Sequence, residues 1–338
     1  MTIFNGRVGA IGLGYWGKNI VRNLSEIEAL AALYDKGPNV RASFAAQYPE
    51  PTMTESVEAM LALPDLDAVM IATPAATHGD LVRQALAAGK HVFVEKPICL
   101  DIEEAEALAK QADDAGLILM VGHLLLYHPA FTALLKLVKA GELGALQYVY
   151  SNRASFGKFR QEENALWSFA PHDISMILSL TGRLPRKVVA NGGHYLTAGV
   201  ADITLSHLDF GDGLQAHIFV SWLHPFKDQR LVVVGEDGMV VFNDVAQGPE
   251  KLLRYRHQAR WEDGLPVVSK ADAEPVAYYA GEPLRRECEA FLSAIAGGDC
   301  PPSDAREALN VLRVLDSCQL SLNSGAPVSL PQYSGHSQ

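Results

Sequence analysis

The sequence contains little cysteine: four residues among 338, at positions 99, 288, 300 and 318, with no two of them close together. No C-x-x-C or comparable spacing is present, so the sequence predicts neither a disulfide framework nor a metal site. Scattered cysteines of this kind are typical of reduced thiols. We therefore expect a cytoplasmic protein that binds no metal.

Long apolar runs and positive charge are also scarce. No stretch approaches the length of a transmembrane helix, and the first residues lack the basic and apolar regions of a signal peptide. Lysine and arginine number 28 against 39 aspartate and glutamate residues, which gives a net charge of −11. This balance argues against nucleic acid or an anionic membrane as a partner, although a local basic cluster could bind a phosphorylated small molecule.

The N-terminal segment carries a glycine pattern, Gly12-x-Gly14-x-x-Gly17, between an apolar run and a helix-compatible stretch. Such glycines serve a tight turn, the close approach of backbone to a pyrophosphate, and helix–strand packing. The helix that follows would turn its free N–H groups and positive dipole end toward the phosphates. We predict cofactor contacts from this turn, including Tyr15 and Trp16.

An acidic residue follows at the distance that a dinucleotide site requires. The apolar run 29–34 predicts a second buried strand, and Asp35 ends it. Its carboxylate would accept hydrogen bonds from the adenosine ribose and repel a 2′-phosphate, so the predicted cofactor is NAD rather than NADP. The alternative is a glycine turn in another α/β protein, with an acid at a strand end by chance.

The chain then alternates between helix-like and strand-like segments, which predicts a parallel sheet with helices on both faces. Helices are expected over 38–48 and 54–63, and a buried strand over 66–72. Loops at the carboxyl ends of parallel strands line the ligand crevice. Thr73, Pro74 and His78 are therefore predicted to belong to a cofactor loop.

A second informative stretch is Glu95-Lys96-Pro97, directly after the apolar strand 91–94. A lysine at the end of a buried strand is costly unless its charge is used. Beside a positively charged nicotinamide ring it would give up its proton more easily, which suits acid–base chemistry. The alternative is an ordinary exposed lysine. Pro97 restricts Lys96 to extended backbone, and a cis peptide is an option there.

These segments resemble the glucose–fructose oxidoreductase/inositol dehydrogenase/MocA family. The resemblance is carried by GLGYWG at 12–17, Asp35, ATPAATHGDLVRQALAAGKHVFVEKP at 72–97, the stretch 117–129, and the segment from Glu282. It implies a Rossmann domain over 1–122, a substrate-binding α+β domain over 123–330 with a large, open-faced, mainly antiparallel sheet, and a tail over 331–338. It also implies a homodimer or homotetramer formed through that sheet.

For the chemistry, the resemblance implies NAD-linked oxidation of a sugar or cyclitol hydroxyl, with Lys96 as a catalytic residue and Glu95 beside the cofactor. A non-catalytic NAD- or sugar-binding regulator with the same fold is the alternative of a different class. Such a regulator is expected to lose Lys96 or the glycines, whereas this chain keeps both.

In the second half, the segment 146–152 predicts a strand and 153–160 a glycine-containing loop. Arg153, Lys158 and Arg160 lie within this loop of an acidic protein. The three cations suggest recognition of a substrate phosphate or diphosphate, for which arginine is well shaped. The alternative is a solvated loop without a ligand.

A helix-like pattern starts after Pro171, so His172 and Asp173 are predicted to lie in a first helical turn. His172 matches a family histidine near the carbon that gives up hydride, but the family acid four residues earlier is Ser168 here. The proton would then move through Lys96, His172 or both. Asp173 is expected to favour the helix dipole or to orient a neighbour. In addition, Leu126 stands where many relatives carry arginine.

The segments 123–131, 151–177 and 221–227 resemble the nucleotide-sugar branch of the family. The branch oxidises the C3 hydroxyl of UDP-linked N-acetylated sugars to 3-keto sugars for later transamination, in lipopolysaccharide or lipid A sugar biosynthesis. The expected substrate is UDP-N-acetylglucosamine, and its expected contacts are Lys96, Arg153, Lys158, Arg160, Asn164, His172 and Asp173. Two alternatives stay open: UDP-N-acetyl-glucosaminuronate, whose carboxylate needs one more cation, and an inositol or hexose.

Overall fold

The structure, a computed structural model, describes residues 7–157 and 159–331. The chain divides into two compact units. One unit comprises Met1–Tyr127 and Gly281–Leu312, and the other comprises His128–Ala280 and Arg313–Gln338. None of the helices in the described ranges combines the length and apolar character needed to cross a bilayer.

The first unit is built on a six-stranded parallel sheet with the order β3-β2-β1-β4-β5-β6. Its elements are β1 (Val8–Ile11), α1 (Gly17–Glu26), β2 (Leu30–Tyr34), α2 (Pro38–Gln47), β3 (Thr52–Met53), α3 (Val57–Leu61), β4 (Ala68–Ile71), α4 (His78–Ala87), β5 (His91–Glu95), α5 (Ile102–Ala115) and β6 (Leu119–Gly122). Strands β1 and β4 are buried along their whole length, as expected for a sheet covered on both faces. The order reverses between β1 and β4, so a ligand crevice is expected where these two strands end.

Helix α3 is shorter than the predicted 54–63. The Thr54 N–H and hydroxyl both donate to the Leu33 carbonyl, at 3.0 and 3.2 Å, which holds this segment against β2. The Ser56 side chain then caps the helix by accepting from the Ala59 N–H at 3.1 Å. Local side-chain bonding therefore sets the start of α3 later than the apolar pattern indicates.

The second unit carries a nine-stranded mixed sheet with the order β16-β13-β12-β11-β7-β10-β9-β8-β17, in which only β7 and β10 run parallel. The elements that follow β6 are α6 (Pro129–Lys139), β7 (Leu146–Phe156), α7 (Ala165–Thr181), β8 (Lys187–Gly193), β9 (Ile203–Asp209), β10 (Gln215–Ser221), β11 (Leu223–Gly235), β12 (Gly238–Asn243), β13 (Leu252–Tyr255), β14 (Gln258–Glu262), β15 (Leu265–Ser269), β16 (Glu274–Pro275), α8 (Pro283–Ile295), α9 (Ala305–Ser324) and β17 (Val328–Ser329). Helix α7 packs on β7, β9 and β10, and α6 packs on β12. The predicted Rossmann domain followed by a mainly antiparallel sheet is confirmed.

Two boundaries predicted for the second half are wrong. Strand β7 continues to Phe156, because Arg153 pairs with Val220 of β10 and with Gln229 of β11. Helix α7 starts at Ala165 and contains Pro171 in its interior. The Asn164 side chain caps it by accepting from the Trp167 N–H at 3.1 Å, so the helix begins well before the proline.

The division into units also differs from the expected break at 122/123 followed by one uninterrupted domain. Helix α8 returns to the first unit, where Phe291 meets Phe93 of β5 edge-on at 6.1 Å between ring centroids. Just before α9, the Ser303 carbonyl accepts from the Val121 N–H of β6 at 2.9 Å. Residues far away in the sequence thus join the first unit, through the apolar face of α8 and through this backbone hydrogen bond.

Candidate active site

The glycine turn after β1 has the geometry of a dinucleotide site. Gly12 has φ +88°, and a Cβ there would lie 2.8 Å from the Ala72 carbonyl oxygen; a Cβ on Gly17 would lie 1.9 Å from the Gly12 carbonyl oxygen. A Cβ on Gly14 would meet no described atom within 4 Å. Gly12 and Gly17 are thus required by the turn itself, whereas the open space at Gly14 fits the approach of a pyrophosphate.

Asp35 is fixed at the end of β2 by main-chain donors. Its Oδ2 accepts from the Leu13 N–H and its Oδ1 accepts from the Gly37 N–H, both at 2.8 Å. Each carboxylate oxygen keeps a second lone pair, which suits a ribose diol. Nearby, Arg41 donates to the Asp35 carbonyl at 2.9 Å and to the Glu55 carboxylate at 2.7 Å, so its charge is already paired.

The two aromatic residues of the turn differ in exposure. Tyr15 is 72% exposed, and the Lys18 ammonium lies 5.2 Å from its ring centroid. Trp16 is half-buried at the start of α1. The exposed ring of Tyr15 is therefore the one that a ligand could reach without a rearrangement of the turn.

The loop after β4 is held by its own hydroxyl groups and by His78. The Thr73 and Thr77 hydroxyls are 2.7 Å apart, and the Thr77 hydroxyl donates to the Pro74 carbonyl at 2.8 Å. His78 is buried, with Nδ1 2.7 Å from the Pro97 carbonyl oxygen and Nε2 2.8 Å from the Thr73 carbonyl oxygen. Burial lowers the pKa of His78, and the two carbonyl groups act in the opposite direction. Both ring nitrogens are thus engaged by the protein's own backbone.

The turn after β5 contains a cis peptide between Lys96 and Pro97. The Glu95 side chain packs over Gly122 of β6, where a Cβ would lie 3.0 Å from Glu95 Oε2. Desolvation raises the pKa of Glu95 to about 7, against the opposing effects of the Lys96 charge and the Trp16 indole. Lys96 therefore has an acidic neighbour that itself titrates near neutral pH.

The first unit also buries a carboxyl group that none of the sequence motifs indicates. Glu287 of α8 is 0% exposed, and burial raises its pKa well above the usual value, with the charges of Glu95 and Glu307 acting in the same direction. His123 Nδ1 lies 2.5 Å from Glu307 Oε2. The available signal was an acid on the apolar face of a helix, since Glu287 lies between Leu284 and Phe291 in the buried pattern of α8.

In the second unit, Arg153 and Asp173 form a buried ion pair. Arg153 Nε and Nη2 donate to Asp173 at 2.8 and 3.2 Å, and the Ser151 hydroxyl donates to the same carboxylate at 2.5 Å. The two side chains are 7% and 0% exposed. The expectation that Arg153 belongs to a cationic loop is wrong, because it is a strand residue that joins β7 to α7. Asp173 is the buried partner of Arg153, and it lies in the interior of α7 and not in the first helical turn.

The remaining predicted residues lie on α7 and on the segment before it. Asn164 caps α7 and donates to Gln319 at 2.7 Å. His172 is partly exposed in the middle of α7 and follows buried Ser168 by one turn, on the same side of the helix. Arg160 is half exposed and pairs with Glu163 at 2.8 Å. Lys158 lies outside the described residues.

Family models match both halves of the chain. A model described as an oxidoreductase family with an NAD-binding Rossmann fold matches residues 6–123, and the GFO/IDH/MocA C-terminal domain matches 131–241. The chain belongs to the GFO/IDH/MocA family of oxidoreductases. The resemblance inferred from the motifs is thereby confirmed, as are the NAD-binding Rossmann domain and the assignment as an enzyme of this family.

Known relatives within the family differ in substrate. The chain is 31% identical to UDP-N-acetylglucosamine 3-dehydrogenase of Acidithiobacillus ferrooxidans over 86% of this chain and 88% of that protein. A solved structure of that enzyme superposes with a TM-score of 0.83 at 28% identity, covering 94% of this chain and 97% of the other. The chain is also 30% identical to an NADP-dependent D-xylose 1-dehydrogenase of Haloferax volcanii, over 96% of this chain and 99% of that protein.

Proposed function

We propose that this enzyme oxidises the C3 hydroxyl of UDP-N-acetylglucosamine to the 3-keto sugar with NAD. The observation that carries the proposal is the similarity to the Acidithiobacillus enzyme, which extends in sequence and fold over both units. The D-xylose dehydrogenase is similar at nearly the same identity, so oxidation of a simple sugar or an inositol is the competing function. A UDP-N-acetylated uronic acid is a further competitor.

NAD rather than NADP is the cofactor in this proposal. A 2′-phosphate would meet the Asp35 carboxylate, which is held in place by the Leu13 and Gly37 N–H groups. Arg41, a cation near the start of α2, is bonded to Glu55 and to the Asp35 backbone. Like-charge repulsion at a fixed carboxylate therefore favours the unphosphorylated ribose.

Bound NAD supplies the hydride acceptor in the family's chemistry. Among the chain's own residues, we assign the acceptance of the hydroxyl proton to Lys96 and a supporting role to His172. Ser168 cannot replace the family acid, because an ordinary serine hydroxyl does not ionise near neutral pH. The acid Glu95 adjoins Lys96 in sequence and titrates near neutral pH, so it can hold a proton close to the proposed base.

We propose fewer substrate contacts than the sequence alone suggests. Arg153 and Asp173 satisfy each other, and Asn164 caps a helix, so these three residues support the site rather than meet a diphosphate. Arg160 is the described cation of this segment that keeps an exposed side chain, and it is proposed to meet the substrate diphosphate together with Lys158.

We also propose that the protein is a homodimer or homotetramer formed through the nine-stranded sheet. Helices α6 and α7 pack on one side of this sheet. The residues that alternate with the helix-covered ones lie on the opposite side of the sheet. They include Tyr148, Tyr150 and His217, whose rings contact one another, with 5.3 Å between the ring centroids of Tyr150 and His217. Leu205, which is 48% exposed, lies on the same side. A partly exposed aromatic and aliphatic surface of this kind is typical of subunit contacts.

The substrate is tested by following NADH formation with UDP-N-acetylglucosamine, its C6 carboxylate, other UDP-sugars, D-xylose and myo-inositol. The proposal predicts the highest kcat/KM for UDP-N-acetylglucosamine. Oxidation of xylose or inositol without any UDP-sugar would overturn it. In a Lys96→Met variant, kcat is expected to fall by at least about a thousandfold. Full turnover by this variant would show that Lys96 is not the base.

A further inference from the structure

His78 connects two segments that end at neighbouring strands of the first unit. Its ring lies between the Thr73 carbonyl, at the start of the loop after β4, and the Pro97 carbonyl, in the turn after β5. The two N···O distances are 2.8 and 2.7 Å, and the residue is 1% exposed. Strands β4 and β5 pair in parallel, so the ring spans their adjacent carboxyl ends.

Each of these two carbonyl groups belongs to a segment with an assigned task. Pro97 directly follows Lys96, so fixing its carbonyl limits the rotations of the peptide that carries the proposed base. Thr73 begins the loop whose shape is set by the Thr73–Thr77 and Thr77–Pro74 contacts. One buried ring therefore relates the position of the proposed base to that of the predicted cofactor loop.

The chemistry of imidazole makes histidine suited to this place. It is a rigid planar ring with polar atoms on opposite sides, and it donates one hydrogen bond when neutral and two when protonated. Because burial favours the neutral ring, one of the two carbonyl groups receives an N–H at a time. A phenyl ring of similar size would leave that buried carbonyl without a donor, which costs about 1–3 kcal/mol. Asparagine keeps a donor for one carbonyl but lacks the rigid ring that places polar atoms beside both segments.

We propose that His78 is a positioning residue, which holds the Lys96–Pro97 turn and the Thr73 loop in register through its two ring nitrogens. This inference rests on the role proposed for Lys96. Helix α4, which begins at His78, packs along α5. The helix start that carries His78 is thereby held against α5.

The test compares His78→Phe and His78→Asn with His91→Asn as a matched control. His91 is a partly buried histidine at the opposite end of β5, where its Nδ1 accepts from the Ile118 N–H at 2.9 Å. Each variant is assayed for kcat and KM with the best sugar substrate of the unmodified enzyme, for NAD binding without sugar, and for thermal unfolding. A failure of the UDP-sugar proposal then shows in the unmodified enzyme alone and does not affect this comparison.

Displacement of a catalytic group by about 1 Å typically costs about a hundredfold in rate. We therefore expect His78→Phe to lower kcat by about a hundredfold, with sugar KM within about threefold and NAD binding weakened several-fold. The kcat of His78→Asn should be about tenfold lower than that of the unmodified enzyme, and the kcat of His91→Asn should stay within about twofold of it.

The inference is overturned if both His78 variants keep kcat within about twofold. It is also overturned if kcat falls only in proportion to the folded fraction, since that result indicates a purely structural role. If His78→Phe does not fold, the decision rests on His78→Asn, whose kcat must fall about tenfold at an unchanged melting temperature.

Discussion

The polar side chains assigned to the candidate site have different kinds of hydrogen-bond partners in the two units. In the first unit, Asp35 accepts from two backbone N–H groups, and His78 contacts two backbone carbonyl groups. In the second unit, Arg153 pairs with the Asp173 carboxylate, and the Asn164 amide, besides capping α7, donates to the Gln319 side chain, so side-chain partners predominate. Substitutions in the first unit should therefore disturb loops and ligand binding, whereas those in the second should disturb packing and stability.

The largest expected effect on stability is at the Arg153–Asp173 pair. Changing Asp173 to Ala leaves a buried guanidinium without its carboxylate, and we expect a loss of about 3–5 kcal/mol in the free energy of unfolding. Denaturant titration measures this loss. The matched control is Asp114→Ala, which breaks the exposed Lys110–Asp114 pair (2.6 Å) and should cost at most about 1 kcal/mol. Equal losses in the two variants would contradict the contrast between the units.

Glu287 departs from the pattern of the first unit, because neither carboxyl oxygen has a hydrogen-bond partner among the described residues. Its pKa is raised in the folded protein, so the folded state holds a proton that the unfolded state releases above pH 4.5. Stability should therefore fall as pH rises above 4.5, by about 1.4 kcal/mol per pH unit from this group.

Replacing Glu287 with Gln removes this titration. The variant should gain stability relative to the unmodified enzyme as the pH is raised from 5 to 8, and melting curves across this range measure the slope. Glu289→Gln on the same helix is the control, since Glu289 is exposed and paired with Arg285 at 2.9 Å. If the melting temperatures of Glu287→Gln and the unmodified enzyme change with pH in parallel, Glu287 is ionised in the folded state.

Cofactor choice tests the role of Asp35. Asp35→Ser removes the negative charge, and we expect the ratio of kcat/KM for NAD to that for NADP to fall by about 10–100-fold, equivalent to about 1.4–2.7 kcal/mol. The measurement is kcat/KM with each cofactor at a saturating sugar concentration. A preference of the unmodified enzyme for NADP would contradict the role of this carboxylate.

The smallest expected effect on stability is at Gly14. Gly14→Ala directs a methyl group into open space, so the melting temperature should stay within about 2 °C while NAD binds about tenfold more weakly. Gly17→Ala, in the same turn, places its Cβ on the Gly12 carbonyl and should reduce the folded fraction. Calorimetric titration with NAD and thermal unfolding separate the two outcomes. Unchanged NAD affinity in Gly14→Ala would place the pyrophosphate elsewhere.

Sequence reasoning was most successful where conformation depends on nearby residues. The glycine turn, the strand before it and the buried strand at β4 follow from local steric rules and from the apolar pattern of single segments. The end of β7 is predicted wrongly for the opposite reason, because the buried partner of Arg153, Asp173, lies 20 residues away. The start of α7 is predicted wrongly although its signal is local: Asn164 accepts from the Trp167 N–H three residues on, but Pro171 is the more conspicuous start signal.

The return of α8 to the first unit, and with it the burial of Glu287, depends on contacts between residues almost 200 positions apart, such as Phe93 and Phe291. No pattern within one segment reports such a contact. The available local sign is an acid between Leu284 and Phe291 on an apolar helix face. This sign indicates burial but does not identify the residues against which the helix packs.

The central claim is that hydride leaves C3 of a UDP-linked N-acetylated sugar. The most direct measurement is to supply NAD and UDP-N-acetylglucosamine deuterated at C3 and to analyse the reduced cofactor by mass spectrometry. The account predicts monodeuterated NADH, whereas substrate deuterated at C4 should give unlabelled NADH. Unlabelled NADH from the C3-deuterated sugar, or no turnover of this sugar while inositol or xylose is oxidised, would contradict it.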